Sequence, residues 1–344
     1  MPGESPRILI TRLSAIGDCI VTTPMLLKLR EYYPSAFIAW AVEPAAAQLL
    51  AGHEGLDEII EIPRKWMKKL GNYTQLRQKL RSYEFDIAFD PQGLTKSAAL
   101  SWLSGAPRRI GFRPPQSREI SHWLNNELID PTHSHITKRQ LELLRAVDID
   151  DCEVNFSLPL YEESQAEIDS WLADQQLADD YAVINPGAGW QSRMWDMERY
   201  ATVARFLKQR FGLTSIVSWG NDQERLHAEA IVASSAGDAV LAPPTSLREL
   251  ASLLRTSKIY LGSDTGPTHM AAATSVPCVC ICGTTRGEYS GPYGDSNIIL
   301  QAYYQGGSTR KRRRADHEAM LAITVDTVSE ACYRILTYKQ VNAA

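Results

Sequence analysis

The sequence has little of what marks secreted, membrane-spanning or nucleic-acid-binding proteins. Its six cysteines form no CxxC pair, and three of them, Cys278, Cys280 and Cys282, alternate along an apolar run that is typical of a buried strand. Residues 1–6 lack the apolar core of a secretory signal, and no apolar stretch has the length of a membrane span. The 36 Lys and Arg residues nearly balance the 40 Asp and Glu residues, which argues against nucleic acid as a partner. We therefore expect a cytoplasmic globular protein.

Two common nucleotide-binding signatures are also missing. The chain contains no G-x-x-x-x-G-K-[ST] and no G-x-G-x-x-G, which counts against a P-loop ATPase and weakens the case for a dehydrogenase. Its seven histidines are scattered, and no group of His, Cys and Asp has the spacing of metal ligands. We therefore expect a reaction that needs neither a metal ion nor a cofactor.

What the sequence does contain is a regular alternation of short β-branched runs and helical patterns. The alternation begins at residues 7–11 and begins again at residues 181–185, after an acidic, aperiodic linker. This pattern predicts an α/β protein with parallel sheets in two domains. We assign residues 1–150 to the first domain and 151–325 to the second, and we expect a helix at 326–344 to pack back on the first.

In the first half, polar side chains follow the ends of predicted strands. Asp18 lies in a glycine turn after the first strand, Glu43 ends the second, and Gln92 and Lys96 follow the fourth together with Asp90. A carboxylate at such an edge can act as general base towards a sugar hydroxyl. It can equally cap its own helix, and for Asp18 both interpretations stay open. Glu43 and Asp90 are the alternative bases.

Two basic clusters stand out from the nearly neutral background. The first runs from Arg64 through Lys65 and Lys68 to Lys69 and follows the third strand, and the second is Arg310–Arg314. Each can face anionic lipid or phosphate, or can be an ordinary solvated loop. For the second cluster the solvated loop is the stronger interpretation.

In the second half, the segment L-G-S-D-T-G-P-T-H-M-A-A-A at residues 261–273 combines a strand, a glycine turn and a helix start. Asp264 and Thr265 offer capping oxygens, Gly266 permits close approach of a ligand, and Pro267 suits the first helical turn. Free amides and the helix dipole make such a junction an anion site, for which pyrophosphate is a natural guest. An ordinary capped turn is the alternative.

Other nucleotide-type features follow neighbouring strands of this half. Asn185 ends a strand and leads into a glycine loop with Gly187, and Arg193 follows that loop. A guanidinium beside a glycine loop suits a diphosphate leaving group, because it neutralises the charge that develops as the bond breaks. Glu224 can accept hydrogen bonds from ribose or base, or can simply be a favourable charge at a helix N-terminus.

Four segments then connect these features to a known family. They are R-L-S-A-I-G-D (12–18), D-P-Q-G-L-T-K-S (90–97), N-P-G-A-G-W (185–190) and G-S-D-T-G-P-T-H-M-A-A-A (262–273). In this order, and over nearly the whole chain, they resemble the ADP-heptose:lipopolysaccharide heptosyltransferases of glycosyltransferase family 9. The I-P-R-K run at 62–65, the G-F…S-R-E run at 111–119 and His135 resemble the heptosyltransferase I branch, which adds the first heptose to the Kdo-lipid A inner core.

The resemblance implies a GT-B fold of two Rossmann-like domains whose parallel sheets face a cleft, with the acceptor bound in the first domain and the nucleotide sugar in the second. It implies inversion at the sugar carbon, with Asp18 as general base and Arg193 at the diphosphate. The implied donor-binding residues are Asn185, Gly187, Arg193, Glu224, Asp264, Thr265, Gly266 and His269. The implied acceptor-binding residues are Arg64, Lys65, Lys68, Gln92, Lys96, Arg118 and His135. Arg193 stands where the family usually has a lysine, in S-K-R-W-P.

The implied partners are an ADP-sugar donor, a lipid-linked Kdo acceptor and the inner leaflet of the cytoplasmic membrane, on which the enzyme would be peripheral. Three alternatives remain: a family 9 enzyme with another donor or acceptor, a GT-B-type nucleotide-sugar epimerase, and a simple nucleotide-binding module. Turnover of ADP-heptose only in the presence of a Kdo-lipid acceptor distinguishes all of them.

Overall fold

The structure is a computed structural model, and it describes residues 5–68, 70–177 and 180–342. The chain divides into two compact units, Met1–Pro159 and Leu160–Ala344. Each unit contains one six-stranded sheet in which every neighbouring pair of strands is parallel. The predicted α/β class with two parallel sheets is therefore confirmed.

The first unit is a doubly wound sheet. Its strands are β1 (Arg7–Thr11), β2 (Phe37–Val42), β3 (Glu58–Glu61), β4 (Ile87–Phe89), β5 (Arg108–Phe112) and β6 (Glu127–Ile129). Their order in the sheet is β3-β2-β1-β4-β5-β6. Its helices are α1 (Ile16–Ile20), α2 (Thr23–Tyr32), α3 (Pro44–Leu50), α4 (Leu70–Arg81), α5 (Thr95–Ser104), α6 (Ser121–Leu124) and α7 (Ile136–Leu141), with 3₁₀ turns at Trp66–Lys68 and Glu142–Val147.

The second unit repeats this plan. Its strands are β7 (Tyr181–Asn185), β8 (Thr214–Val217), β9 (Ala239–Leu241), β10 (Ile259–Ser263), β11 (Cys278–Ile281) and β12 (Ile298–Leu300), in the order β12-β11-β10-β7-β8-β9. Its helices are α8 (Glu162–Asp174), α9 (Met197–Phe211), α10 (Asp222–Ser234), α11 (Leu247–Arg255), α12 (Gly266–Ala273), α13 (Gly287–Ser290), α14 (Thr309–Arg314), α15 (Glu318–Leu321) and α16 (Val325–Asn342), with a 3₁₀ turn at Gln191–Arg193.

Both faces of each sheet are covered, which is why the strands read as apolar runs rather than as alternating patterns. In the first unit Ile8 and Trp40 belong to the core on one face of the sheet, whereas Leu9 and Ala39 belong to the core on the other. The cysteine-rich run forms β11, where Cys280 is fully buried, as the alternation predicts.

Parallel strands place all their carboxyl ends at one edge of a sheet, and ligands of open α/β sheets bind along that edge. We call this the carboxyl edge of each unit. In the first unit the turns after β1, β2 and β4 are neighbours there, because these three strands are adjacent. In the second unit the turns after β7 and β10 are neighbours for the same reason.

The final helix, α16, belongs by its packing to the second unit. Val328, Cys332 and Ile335 lie in the core of that unit together with Val279 and Ile281 of β11. A contact of this helix with the first domain stays a prediction. Within the described ranges, no helix is both long and apolar enough to cross a membrane.

Candidate active site

Asp18 lies in the first turn of α1, directly beyond the end of β1. Its Oδ2 atom accepts a hydrogen bond from the Ala15 N–H at 3.1 Å, so the carboxylate does cap its helix. Its Oδ1 atom lies 2.9 Å from Nη2 of Arg12, and 42% of the Asp18 side chain remains exposed. The carboxylate is thus oriented by two protein groups and still open to a reactant.

Arg12, which is not among the predicted site residues, is the buried cation beneath Asp18. Its side chain is only 5% exposed, and its Nη1 atom donates to the carbonyl of Pro91 at 2.9 Å. The indole N–H of Trp40 donates to the Arg12 carbonyl at 3.0 Å, which fixes the main chain at this point. The position of Arg12 in the sequence could have indicated this role, because a charged residue directly after a buried strand needs a partner at the carboxyl edge.

The structure brings Gln92 and Lys96 onto the same turn. The side-chain oxygen of Gln92 accepts the Leu13 N–H at 3.0 Å, and its amide donates to the Ser14 carbonyl at 3.1 Å. The ammonium of Lys96 donates to Oγ of Ser14 at 2.8 Å and to Oε1 of Glu43 at 3.1 Å. The loops after β1, β2 and β4 therefore form one hydrogen-bonded cluster around Asp18.

Burial separates the three candidate carboxylates. Asp90 is fully buried and accepts from the Gly93 N–H at 3.0 Å and from the Asn125 amide at 3.1 Å, while burial raises the pKa of its carboxyl group. The Glu43 side chain is 15% exposed and is paired with Lys96. Asp18 is the most accessible of the three.

The remaining predicted acceptor residues lie elsewhere along the carboxyl edge. Arg64, Lys65 and Lys68 are exposed on the turn after β3, which Trp66 anchors by its burial. Lys69 lies outside the described residues. In the part of the chain that the structure describes, these three side chains make no hydrogen bond to the Asp18 turn.

Two further predicted acceptor residues follow β5 and β6. Arg118 is exposed on the loop after β5, and its backbone N–H donates to the Gly93 carbonyl at 2.9 Å. His135 is the N-cap of α7, where its Nδ1 atom accepts from the Thr137 N–H at 3.3 Å. A binding role for both stays a prediction.

In the second unit, Asp264 is the centre of a polar cluster at the end of β10. Its Oδ1 atom lies 3.2 Å from Nε2 of His269, and its Oδ2 atom accepts from the Ser290 hydroxyl at 3.2 Å. Arg193 donates to the Asp264 carbonyl at 3.0 Å and reaches within 3.8 Å of Oδ2. Burial by itself raises the pKa of Asp264, but the hydrogen bond and charge of His269, with the charge of Arg193, outweigh burial and hold that pKa below its usual value.

Arg193 is held from two sides by the protein. Its guanidinium lies 3.9 Å from the centre of the Trp190 ring, and its carbonyl accepts the Ser263 hydroxyl at 2.7 Å. Burial lowers the pKa of the guanidinium, while Asp264 acts in the opposite direction. Among the described residues, its Nε and the Nδ1 atom of His269 are buried without a hydrogen-bond partner. These two atoms are suited to bind polar atoms of a ligand.

The start of α12 has the predicted form, with Gly266 as first residue, Pro267 in the first turn and Thr265 as N-cap. The Thr265 hydroxyl makes no capping bond to the helix but donates to the Ser263 carbonyl at 3.3 Å. The positive end of α12 therefore meets the Asp264 cluster without a side-chain cap from Thr265.

Glu224 and Gly187 are brought into contact across the carboxyl edge. The Glu224 carboxylate accepts the Gly220 N–H at 2.9 Å, and a Cβ atom on Gly187 would lie only 2.6 Å from the carboxyl carbon of Glu224. Glu224 also lies in the first turn of α10, so its negative charge does stand at a helix N-terminus, where it is favourable. Asn185 is buried and donates to the Ser218 hydroxyl at 3.0 Å.

The second basic cluster is a short helix rather than a loop. Within α14, Arg312 donates to the Thr284 carbonyl at 3.1 Å, and its own carbonyl accepts the Ser192 hydroxyl at 2.6 Å. The guanidinium of Arg313 lies 5.1 Å from the centre of the Trp190 ring. The loop interpretation is therefore wrong for this segment, and Arg312 is half-buried against the loop that carries Arg193, whereas Arg313 is exposed to solvent.

The described ranges hold no group of three or more His, Cys, Asp or Glu side chains arranged to bind a metal ion. The metal-independent chemistry expected from the sequence stays a prediction.

Comparison with known proteins places these features in context. The family model of glycosyltransferase family 9 (heptosyltransferase) matches residues 73–319. Lipopolysaccharide heptosyltransferase 1 of Pseudomonas aeruginosa is 28% identical over 308 residues, which cover 86% of this chain and 83% of that protein. Its namesake in Escherichia coli K12 is 26% identical over 306 residues, which cover 86% and 93%.

Solved structures show the same fold. A family 9 glycosyl transferase from Veillonella parvula superposes with a TM-score of 0.82 at 21% identity, over 98% of this chain and 99% of that one. An Escherichia coli heptosyltransferase with ADP-2-deoxy-2-fluoro heptose gives 0.73 at 23% identity, over 95% and 99%. The predicted GT-B fold class is therefore confirmed.

Proposed function

Since the chain belongs to glycosyltransferase family 9, we propose that it is an inverting heptosyltransferase acting in lipopolysaccharide synthesis. It transfers heptose from ADP-heptose to the Kdo-lipid A inner core. Two relatives named lipopolysaccharide heptosyltransferase 1, matched over most of their length, support heptose as the sugar and lipopolysaccharide as the product. The family assignment makes the chain a glycosyltransferase, which sets aside the epimerase and the simple nucleotide-binding module.

The observation that carries the mechanism is the state of Asp18. Its carboxylate is oriented by Arg12 and by the Ala15 N–H, yet 42% of the side chain is exposed. A general base needs this combination, because it must be fixed in position and must still reach the proton that it removes. Asp18 therefore takes the proton of the acceptor hydroxyl as the hydroxyl oxygen attacks the anomeric carbon of the donor. Attack from the face opposite the diphosphate inverts that carbon.

The donor lies on the Asp264 cluster of the second unit. Arg193 faces the diphosphate and neutralises the negative charge that develops as the bond from sugar to phosphate breaks. The amides at the start of α12, with Thr265 and Gly266, and the unpaired Nδ1 of His269 complete an anion site. Glu224, whose carboxylate lies close to Gly187, accepts hydrogen bonds from the ribose of the nucleotide.

The acceptor lies along the carboxyl edge of the first unit, where Gln92 and Lys96 adjoin Asp18. The exposed Arg64, Lys65 and Lys68 contact its anionic groups, with Arg118 and His135 as further contacts. The lipid part of the acceptor places the enzyme on the inner leaflet of the cytoplasmic membrane as a peripheral protein.

The test is release of the nucleoside diphosphate with and without Kdo-lipid A: ADP from ADP-heptose and, in parallel, ADP from ADP-glucose and UDP from UDP-glucose. We expect rapid ADP release only with ADP-heptose and only when the acceptor is present. Preference for another nucleotide sugar or another acceptor would instead identify a different specificity within family 9. Release of ADP at the same rate without acceptor would contradict the transfer reaction.

A further inference from the structure

The loop between β5 and β6 exposes apolar side chains in an otherwise polar stretch. Trp123 is 77% exposed and Ile120 is 45% exposed. These residues are three positions apart, so they share one face at the short helix α6. On the opposite face Ser121 is fully buried, and Leu124 packs against the core of the first unit. We call residues 113–124 the α6 loop.

The α6 loop is fixed to the turn that carries the predicted acceptor residues. Two of its groups, the Ser121 hydroxyl and the Arg118 N–H, donate to the Gly93 carbonyl at 3.1 and 2.9 Å. The Glu119 carboxylate accepts the Thr95 N–H at 3.1 Å, at the start of α5, which also carries Lys96. Trp123 is therefore presented on a fixed platform beside the acceptor residues.

Charge and size indicate what this platform contacts. Arg113 and Arg118 are both exposed on the α6 loop beside the apolar face. Tryptophan with arginine is typical of the boundary between lipid headgroups and acyl chains, where the indole is partly buried and the guanidinium meets phosphate. One tryptophan and one isoleucine are far too small a surface for a stable protein interface, which buries roughly 800 Å² on each partner.

We propose that the α6 loop docks the first unit on an anionic lipid bilayer. Trp123 and Ile120 enter the interfacial region, and Arg113 and Arg118 lie at the level of the lipid phosphates. The inference rests on the proposed function, in which the acceptor is embedded in a membrane. It goes further by assigning the membrane contact to these four side chains, since docking here brings the acceptor residues to the surface that holds the acceptor.

The test is flotation of the full-length protein with vesicles of phosphatidylethanolamine and phosphatidylglycerol, compared with vesicles of phosphatidylcholine alone. We expect the parent protein to bind the anionic vesicles and the double variant Ile120→Ser, Trp123→Ser to bind at least about tenfold more weakly, a change of roughly 1.4 kcal/mol. Trp123→Phe keeps an apolar ring and retains most of the binding. Leu226→Ser is the matched control, because Leu226 is 60% exposed but lies on α10 in the second unit.

Turnover with a deacylated, water-soluble Kdo acceptor separates this inference from the proposed function. The double variant turns over that acceptor like the parent, because the two side chains act on the membrane and not on the reacting sugars. If the parent turns over neither this acceptor nor Kdo-lipid A but vesicle binding depends on Trp123, the proposed function is wrong and the docking surface stands. The docking surface is overturned if the double variant floats like the parent, if the parent floats equally with neutral vesicles, or if the parent is a dimer that the double variant breaks.

Discussion

Arg193 is a fork-shaped cation whose geometry the protein already uses. One Nη atom donates to the Asp264 carbonyl at 3.0 Å while the guanidinium plane lies over Trp190. A lysine has a single point charge and satisfies neither contact in the same way. The residues around this loop therefore fit an arginine at position 193, where the family resemblance implies a lysine.

Arg193→Ala is expected to raise the transition-state free energy by about 2–4 kcal/mol, as loss of one oxyanion donor does. Arg193→Lys is expected to recover only a small part of this, because the fork holds the side chain in place. Steady-state kinetics with ADP-heptose as donor measures both variants. A fully active alanine variant would remove Arg193 from the mechanism, and full recovery by lysine would show that only charge matters.

Gly187 allows a second test, and Gly189, two residues away, is the matched control. A Cβ atom at Gly187 would lie 2.6 Å from the carboxyl carbon of Glu224, whereas a Cβ atom at Gly189 would have nothing within 4 Å. Gly187→Ala is expected to displace the Glu224 carboxylate, the far end of a flexible side chain, and so to weaken ADP binding at little cost in stability. Gly189→Ala should leave ADP binding unchanged. Equal effects of the two variants would contradict this account of Gly187.

At the scale of elements, the strands are well predicted by local pattern and the polar contacts are not. The bounds of β1 and β7 agree with the predicted runs, because an apolar β-branched segment between polar turns is a clear local signal for a strand. The pattern at residues 19–32 predicts one helix, but the chain forms α1 and α2, with Pro24 in the first turn of the second helix.

Contacts between distant residues explain what the sequence analysis missed. Arg12 is fixed by Pro91 and Trp40, which are distant in sequence, so no local pattern reveals that it orients Asp18. The strand β5 begins with Arg108 and Arg109, whose charges obscure its β pattern. The helix α14 has a run of arginines, and only the folded chain distinguishes the half-buried Arg312 from its exposed neighbours.

The basic turn after β3 is predicted to bind the anionic acceptor. The side chains of Arg64, Lys65 and Lys68 are exposed, while Trp66 between them is buried and anchors the turn. Replacing all three cations by glutamine should raise the KM for the acceptor and flatten its dependence on salt, with donor binding unchanged. The same change at Arg77 and Lys79 on α4 is the control. Unchanged acceptor kinetics in the first variant would make the turn an ordinary solvated surface.

At the scale of the whole molecule, each unit presents its candidate site residues at the carboxyl edge of one parallel sheet. Local alternation predicts this arrangement, because parallel strands need crossovers and crossovers leave their turns at that edge. The buried polar contacts that stabilise each unit away from the candidate sites are harder to predict from the sequence. Glu142 is an example, since its side chain has no exposed surface yet is charged.

Glu142 makes the stability of the first unit sensitive to acid. Burial raises the pKa of its carboxyl group, but hydrogen bonds from Thr132 and His133 outweigh burial and hold the pKa below its usual value. Arg145 lies 3.1 Å from Oε1 as a further partner. A depressed pKa contributes stability that is present above the unfolded value of about 4.3 and is lost as the pH falls through the folded value.

Glu142→Gln should therefore lower the free energy of unfolding at pH 7 by on the order of 1–3 kcal/mol, the cost of an imperfectly satisfied buried group. The deficit should shrink as the pH falls below about 4.3 and through the lower folded pKa, where the parent also loses the charge. Thermal melting of both proteins across this pH range measures the effect, with Glu54→Gln at an exposed site as control. A deficit that stays constant with pH would show that the charge of Glu142 contributes nothing.

In the proposed mechanism Asp18 removes the proton of the acceptor hydroxyl, and steady-state kinetics of the Asp18→Asn variant test this role. Asparagine keeps the size of the side chain and one acceptor oxygen but cannot take a proton. We expect kcat to fall by roughly 10²–10⁴-fold, while ADP-heptose and Kdo-lipid A still bind and the thermal midpoint stays close to that of the parent. Arg12→Gln is the control, because it removes the ion pair but keeps the carboxylate, and it should lose much less activity. Turnover of Asp18→Asn at the rate of the parent would contradict the account and leave Asp18 as a helix cap.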